Sequence, residues 1–325
     1  MSDISVKPKI NIDEAKVLLE EIFKFPVKQI EEAATGKIKK VYFFRCKDIA
    51  YVIRFSKDDK EFKFEKYLQE TLKGEDFPLA KLLYTGAFNN YYYAVSEKLE
   101  GAAINTLNEI EVKSTLPSIM EALTKLHSID VEASAGYGWL KVDRNGTFNT
   151  FTEFLESFFS REQEGFWKGW YDLFESSCLD FNTFHILYKK MMELAPYCEG
   201  RRYLTHTDFH YNNLLINNSK IVGIIDWGGV SYLDFIFDAA RLIMEFPEFN
   251  LLDEFQVFYK QHNMDVSNFN ERFLCAALCH SLDGMRFWAK LGSVEAYKSI
   301  LENILILLNK FEVYIENMEN SLIFG

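Results

Sequence analysis

The chain has 325 residues, which is enough for a sizeable hydrophobic core and for two lobes or domains. Hydrophobic residues make up 48% and aromatic residues 16%, a composition that excludes a largely disordered protein. Residues 99–325 carry 32 acidic against 18 basic side chains, which argues against nucleic acid or an anionic membrane as a partner. Such a surface would attract a cationic small molecule, although general solubility explains the charge equally well.

The sequence shows no apolar stretch long enough to cross a membrane and no signal-peptide pattern, so we expect neither membrane insertion nor secretion. Its five cysteines are scattered and form no Cys-x-x-Cys pair, as is typical of a protein in a reducing cytoplasm. We therefore expect a cytoplasmic protein, and both a monomer and a homodimer remain open.

The first third of the chain predicts a helix, a small antiparallel sheet and a second helix. Asn11 and the acidic residues after it favour a helix start, and helical periodicity runs over 11–23. Strand-like runs lie at 30–34, 41–46, 50–55, 82–88 and 91–97, with a charged helix at 60–72.

After the break at Gly101, helical patterns dominate. We expect helices at 116–128, 151–159, 182–194, 234–245, 251–261, 269–291 and 294–317. A single hairpin is embedded among them. A small sheet followed by a mostly helical region predicts an α+β fold with two lobes.

The embedded hairpin is the most informative segment. Residues 214–217 and 221–225 are apolar and rich in β-branched side chains, and Asn217-Asn218-Ser219 between them is turn chemistry. Folding about this turn brings Asn213 and Asp226 nearly opposite each other, with Asp208 just outside the hairpin mouth. An amide oxygen and a carboxylate suit Mg²⁺, and a further carboxylate could meet a hydroxyl nucleophile. The spacing therefore predicts phosphoryl transfer.

The order His206-x-Asp208-x-x-x-x-Asn213 followed by Ile225-Asp226-Trp227 resembles the motifs of the aminoglycoside phosphotransferase family, relatives of the protein kinases. The later pattern Asp234-x-x-x-Asp238-x-Ala240 resembles a third family segment. Two positions depart from the family pattern: Thr207 replaces the usual Gly and Phe235 replaces the usual Pro.

The resemblance implies a protein-kinase-like fold, with a nucleotide-binding lobe over 1–98 and a catalytic, acceptor-binding lobe over 99–325. It implies ATP or GTP as the phosphate donor and Mg²⁺ held by Asn213 and Asp226. Asp208 would accept or orient the proton of the acceptor hydroxyl. His206, grouped with the catalytic residues by its motif, would brace the backbone and would not transfer a proton.

The nucleotide side is less strongly marked. Thr35-Gly36-Lys37 is not a P-loop, because the flanking positions lack the required Gly and Ser or Thr. In the kinase-like plan, Gly36 and Lys37 lie instead in a turn over the phosphates, although an exposed lysine cluster on a turn is an equally good interpretation. Arg54 would contact the phosphates and Glu65 would hold it in place, with Glu61 as the second choice. Glu97 and Leu99 would lie at the hinge beside the base.

Acceptor binding by resemblance falls to Asp234 and Asp283, although ordinary helix charges would look the same. Trp167, Trp170 and Phe287 could stack on a sugar or amine, but aromatic side chains at these spacings more often belong to a core. We expect a cationic aminoglycoside as the acceptor. The alternatives are a metabolite kinase for choline, a sugar or homoserine, and a kinase-like binding protein without catalysis.

Overall fold

The computed structural model describes residues 7–33, 39–247, 249 and 251–311. Helices and short antiparallel strands make an α+β protein. The strands are β1 (Lys28–Glu32), β2 (Lys40–Cys46), β3 (Ile49–Ser56), β4 (Leu82–Phe88), β5 (Tyr91–Glu97), β6 (Ala102–Ala103), β7 (Tyr137–Leu140), β8 (Gly146–Phe148), β9 (Tyr203–Thr205), β10 (Leu214–Asn217), β11 (Lys220–Ile224) and β12 (Ser231–Leu233). The α-helices are α1 (Ile12–Phe23), α2 (Lys60–Thr71), α3 (Glu109–His127), α4 (Phe151–Phe158), α5 (Leu173–Ser176), α6 (Phe181–Leu194), α7 (Ile236–Glu245), α8 (Leu251–Gln261), α9 (Phe269–Lys290) and α10 (Val294–Lys310).

The chain divides into two compact units. Unit one comprises Met1–Lys125 and Tyr211–Gly229, and unit two comprises Leu126–His210 and Val230–Gly325. This grouping differs from the expected boundary at 98/99, because β10 of the hairpin pairs with β6 and so joins the first unit. The division of labour between a nucleotide lobe and an acceptor lobe stays a prediction.

Unit one contains a five-stranded antiparallel sheet in the order β1-β2-β3-β5-β4. Successive side chains of a strand point to opposite faces, so β3 separates its residues cleanly. Ile53 and Phe55 point into a core with Tyr42, Phe44 and the apolar side of α1. Arg54 points to the opposite face, towards α2.

Helix α1 begins as the sequence predicts. Asn11 accepts a hydrogen bond from the backbone of Glu14, and the Glu14 side chain accepts one from the Asn11 backbone. This reciprocal capping satisfies two amides that the helix leaves unpaired. Apolar residues of α1 then reach the sheet at the spacing of one helix face.

Helix α3 begins seven residues before the predicted start at 116. Asn108 and Glu111 form the same reciprocal cap as α1, through two hydrogen bonds of 2.9 and 3.1 Å. The predicted start at 116 lies just before Pro117, which the helix contains. A proline inside a helix lacks its amide donor and crowds the carbonyl of the preceding turn, and α3 nevertheless runs through it.

Unit two contains a four-stranded sheet in the order β8-β7-β12-β9, surrounded by helices α4 to α10. None of these four strands was predicted, because each has only three or four residues. The helices predicted from residue 151 onwards are present, with ends that differ by two residues or fewer where the structure describes them. The predicted extension of the last helix beyond residue 311 lies outside the described residues.

A fully buried ion pair joins two parts of unit two. Asp234, next to the end of β12, accepts hydrogen bonds of 2.6 and 2.7 Å from Nε and Nη2 of Arg272 on α9. Both side chains have no exposed surface. The expectation that Asp234 binds the acceptor is therefore corrected: its carboxylate is enclosed and committed to Arg272.

Among the described residues, no helix combines the length and the apolar character needed to cross a bilayer. The five cysteines are free thiols, and four of them are buried.

Loss of the Asp234 carboxylate should destabilise the fold. The variant Asp234→Ala leaves the Arg272 guanidinium buried without its partner, and we expect the free energy of unfolding to fall by about 3–5 kcal/mol in urea titrations. The double variant D234A/R272M removes both charges and should recover much of this loss. A well-folded D234A protein with only a raised KM for the acceptor would contradict the structural role.

His280 on α9 should make the protein less stable in mild acid. Burial, followed by the charge of Arg241, lowers the pKa of His280 from 6.5 to about 4. Below pH 6.5, His280 is protonated in the unfolded chain, whereas in the folded chain it stays neutral until about pH 4. Stability is therefore lost as the pH falls through this window. The difference corresponds to at most about 3 kcal/mol.

The measurement is the melting temperature between pH 7 and pH 4. His280→Gln keeps an N–H donor for the Phe237 carbonyl, which His280 contacts at 2.9 Å, and should lose stability less steeply than the wild type. His262→Gln, which removes an exposed histidine, is the matched control. Equal slopes in all three proteins would rule out the proposed effect of His280.

Candidate active site

The predicted hairpin is present, and its backbone places Asn213 beside Asp226. β10 and β11 pair from Leu214 with Ile224 to Asn217 with Lys220. Asn218 and Ser219 both have positive φ, 49° and 58°, as a two-residue turn of the hairpin type requires. At the open end, the Ile225 amide donates to the Asn213 carbonyl at 3.0 Å. The residue that follows Ile225 is Asp226, so the two predicted metal ligands lie at the same end of the ribbon.

Asp226 is presented to solvent by a turn that a buried tryptophan anchors. Trp227 is 1% exposed, and its ring N–H donates to the Ile224 carbonyl at 2.9 Å. Asp226 itself has φ 67°, a backbone conformation that turns its side chain out of the strand direction. Its side chain is half exposed, whereas Asn213 is buried.

Asp226 and four other charged side chains of unit one are linked by ion pairs. We call these five side chains the charge cluster. Arg54 binds Glu65 through two hydrogen bonds of 2.5 Å, as the sequence predicts. Its guanidinium also reaches Glu61 at 3.2 Å. Lys39 forms ion pairs with Glu61 and, at 2.7 Å, with Asp226. The charge cluster therefore connects β3, α2, the residue before β2 and the hairpin.

The geometry of the charge cluster follows from regular structure. Glu61 and Glu65 are one turn apart on α2, so both face the sheet, and both are buried. Val41 of β2 lies opposite Arg54 of β3 and thus on the same face. Lys39, two residues before Val41, continues that face and meets the same glutamates.

The charges balance incompletely, with two cations against three carboxylates. Burial would lower the pKa of Lys39, but the charges of Glu61 and Asp226 raise it above the ordinary value, so Lys39 is protonated at neutral pH. Burial raises the pKa of Glu61, and Lys39 and Arg54 partly offset this. For Arg54, the charge and hydrogen bonds of Glu65 outweigh burial and raise its pKa. The charge cluster thus retains an attraction for a further cation.

The donor set fits Mg²⁺. Among the described residues, no group of three or more His, Cys, Asp or Glu side chains forms a metal cage. Mg²⁺ does not need one, because it commonly binds one or two protein oxygens and completes its shell with water and phosphate. Asp226 offers an exposed carboxylate, and the Lys39 ammonium on that carboxylate shows that the position attracts a cation.

In unit two, the segment that carries Asp208 is held by Asp238. The Asp238 carboxylate accepts hydrogen bonds from the backbone amides of His206 and Thr207 at 2.9 and 2.7 Å. It also lies 3.1 Å from Nε2 of His127. His206 is fully buried, which agrees with a bracing role and not with proton transfer. His127, on the last turn of α3, was not identified from the sequence because no motif marks it.

Thr207 explains why the family usually has Gly at this position. Its φ is 65°, in the left-handed region that favours glycine, and a β-branched residue there is strained. The hydrogen bond from its amide to Asp238 helps to hold this conformation.

Asp208 is a carboxylate at neutral pH. Burial would raise its pKa, but the hydrogen bond and charge of His210, together with Arg241 and His206, lower it below the ordinary value of 3.8. The His210 ring nitrogen lies 3.5 Å from the Asp208 carboxylate. A carboxylate of such low basicity is better suited to orient a hydroxyl proton than to remove it completely before the reaction.

The remaining predicted residues occupy varied positions. Gly36 and Lys37 lie outside the described residues. Glu97 ends β5 and has its carboxylate 3.8 Å from Lys81. Leu99 packs against β11, where a Cβ added to Gly223 would lie 2.4 Å from its side chain. The described contacts of Glu97 and Leu99 do not conflict with a place beside the base. Their role stays a prediction.

Asp283 differs from Asp234 because its carboxylate is partly exposed. It contacts Arg286 at 2.8 Å, and its side chain retains 37% of its surface. The Arg286 guanidinium lies over aromatic rings, with Trp167 nearest at 4.0 Å and Trp170 at 5.3 Å. Trp170 is a core residue, as the simpler interpretation predicted, and Asp283 remains an acceptor candidate.

Known proteins share this sequence and this fold. The hygromycin-B 4-O-kinase of Escherichia coli is 20% identical over 262 residues, which cover 80% of this chain and 75% of that protein. The structure of a thermostable mutant of aminoglycoside phosphotransferase APH(4)-Ia, in a ternary complex with ADP and hygromycin B, is similar with a TM-score of 0.74 and 18% identity. It covers 90% of this chain and 97% of its own.

Spectinomycin phosphotransferase APH(9)-Ia, in complex with ADP and spectinomycin, is similar with a TM-score of 0.61 and 13% identity, covering 94% of this chain and 95% of its own. These similarities confirm the expected kinase-like α+β fold and the expected likeness to the aminoglycoside phosphotransferases. The phosphotransferase enzyme family itself matches residues 29–265, a range that contains the sheet, the hairpin and the Asp208 segment. The chain belongs to the phosphotransferase enzyme family.

Proposed function

We propose that this protein transfers the γ-phosphate of ATP or GTP to a hydroxyl group of a cationic aminoglycoside, in a reaction that requires Mg²⁺. The observation that carries the proposal is the charge cluster, which presents the Asp226 carboxylate beside Asn213 at the end of the hairpin. Relatives of similar fold are aminoglycoside phosphotransferases, and the named ligands of two of them are ADP with hygromycin B or spectinomycin.

Each residue has a separate task in the proposed reaction. Asn213 and Asp226 would hold the metal, which would neutralise the charge of the transferred phosphate. Arg54, fixed by Glu65, would contact the phosphates, and Gly36 and Lys37, which lie outside the described residues, are expected to help cover them. These tasks position and neutralise the donor, and phosphoryl transfer needs little more from the protein.

The acceptor needs a carboxylate that meets its hydroxyl. Asp208 accepts a hydrogen bond from that hydroxyl and so directs an oxygen lone pair at the γ-phosphorus. Since Asp208 is ionised well below neutral pH, it is ready for this role across the physiological range. His206 and Asp238 keep the backbone of the Asp208 segment in place.

The acceptor is proposed to be cationic because acidic residues outnumber basic ones by 32 to 18 in residues 99–325. A polyamine antibiotic would be attracted to such a surface, whereas a neutral sugar would not. Asp283, partly exposed and paired with Arg286, whose guanidinium lies over the Trp167 ring, is our candidate for a contact with an amino group. A cytoplasmic location and a monomeric or homodimeric state stay predictions from the sequence.

Substitution of Asp208 should separate catalysis from nucleotide binding. We expect Asp208→Asn to lower kcat by about 10²- to 10⁴-fold, because the amide no longer attracts the hydroxyl proton. The dissociation constant for Mg-AMP-PNP, measured by calorimetry, should remain near that of the wild type. Asp226→Asn should instead weaken Mg-AMP-PNP binding. The control is Asp143→Asn, which alters an exposed carboxylate of unit two. Near-normal turnover of D208N would show that Asp208 has been given the wrong role.

The acceptor class can be tested by release of nucleoside diphosphate. ATP and GTP are each offered with hygromycin B, spectinomycin, gentamicin, choline and simple sugars. We expect turnover with at least one aminoglycoside and a KM for it that rises with salt, since charge attracts the acceptor. Turnover confined to choline or sugars would reject the proposed acceptor and favour a metabolite kinase. Absence of nucleotide binding would reject the proposed phosphotransferase activity altogether.

A further inference from the structure

Lys39 holds an unusual position in the charge cluster. Its ammonium lies 2.7 Å from Oδ1 of Asp226 and also forms an ion pair with Glu61. The side chain is only 16% exposed, whereas that of Asp226 is 50% exposed. A largely buried lysine therefore reaches out to the carboxylate that we assign to the metal.

Lys39 and a divalent ion would compete for the same oxygen. An ammonium within hydrogen-bond distance of Oδ1 occupies the approach of any other cation to that atom. Mg²⁺ carries twice the charge and bonds directly to carboxylate oxygens, so it would displace the lysine on arriving with the nucleotide. Once displaced from Asp226, the Lys39 ammonium needs another anion.

Arg54 has little freedom to make the same movement. Nη1 of Arg54 donates to Glu61 and Glu65, and Nη2 donates to Glu65. Three of its five donors are thus directed to carboxylates of α2. Within the described part of the chain, Lys39 forms ion pairs with Glu61 and Asp226, and Asp226 is the proposed metal ligand.

We propose that Lys39 is a ligand of the nucleotide phosphates that rests on Asp226 in the free enzyme and moves to the phosphate oxygens when the metal-nucleotide binds. This inference rests on the proposed function, because it takes Asp226 as the metal ligand. Glu61 keeps one contact with the ammonium in both states, so the exchange needs only a short movement of the side-chain end. The phosphate oxygens then replace the Asp226 carboxylate as its second partner.

The two halves of this proposal predict effects of opposite sign. Removal of the Lys39 charge should weaken binding of the nucleotide, because a charged hydrogen bond to phosphate is lost. The same removal should strengthen binding of a metal ion alone, because the competitor on Asp226 is gone. A lysine with a purely structural role would not improve metal binding when removed.

The test compares Lys39→Met with Lys40→Met, which removes the same charge at the next residue. Lys40 pairs with Glu32 at 2.5 Å and lies over the Tyr42 ring, apart from the charge cluster. Binding of AMP-PNP at saturating Mn²⁺ is measured by calorimetry, and binding of Mn²⁺ without nucleotide is measured by electron paramagnetic resonance. Melting curves establish that each variant is folded, and Lys39→Gln replaces K39M if K39M does not fold.

For K39M we expect roughly tenfold weaker binding of AMP-PNP at saturating Mn²⁺ and severalfold tighter binding of Mn²⁺ alone, with K40M close to the wild type in both. The proposal requires both changes, and it is wrong if either is missing or if K40M matches K39M. If the wild type itself binds neither AMP-PNP nor Mn²⁺, the proposed function fails first. Normal binding by the wild type and an unchanged K39M would overturn this inference alone.

Discussion

The structure of unit one depends on the neutralisation of carboxylates that its own packing forces together. Glu61 and Glu65 are buried on one face of α2, where their repulsion and the loss of hydration would destabilise the fold. Arg54 from the sheet and Lys39 from the segment before β2 offset this cost. The pleat of β3 makes the arrangement possible, since it directs Arg54 away from the aromatic core that Ile53 and its neighbours fill. The same charges that stabilise the fold then extend to Asp226, so the stability of the sheet and the electrostatics of the candidate site have one origin.

The features predicted correctly are those in which short-range chemistry is unambiguous. The hairpin was predicted because turn residues separate two β-branched runs, and the tight turn at Asn218 and Ser219 needs residues that tolerate positive φ. The pairing of Arg54 with Glu65 was predicted from the kinase-like plan that the resemblance implies, in which a carboxylate of the following helix holds the phosphate-binding cation. Helix α3 shows the limit of this reasoning, since it begins after the cap at Asn108, seven residues before the predicted start at 116.

The features that were missed depend on contacts between distant parts of the chain. Lys39 and Asp226 are 187 residues apart, and no local pattern reports that a lysine stem is long enough to join them. Asp234 shows the converse, because an acidic residue in a motif looks the same whether it faces solvent or a buried arginine. Only the three-dimensional position of Arg272 distinguishes the two cases. The predicted turn at Gly36 lies outside the described residues. The prediction of phosphate binding there therefore rests on residue chemistry alone, whereas the proposed metal site also rests on geometry.

Thr207 has a consequence for how this chain could change over generations. A threonine held at φ 65° destabilises the folded state by on the order of 1–3 kcal/mol, and a glycine at that position would avoid this strain. Replacement by glycine alters no hydrogen bond to Asp238, because that bond uses the backbone amide. Selection for heat resistance could therefore act first at this position, beside the proposed catalytic carboxylate, without any redesign of the hydrophobic core.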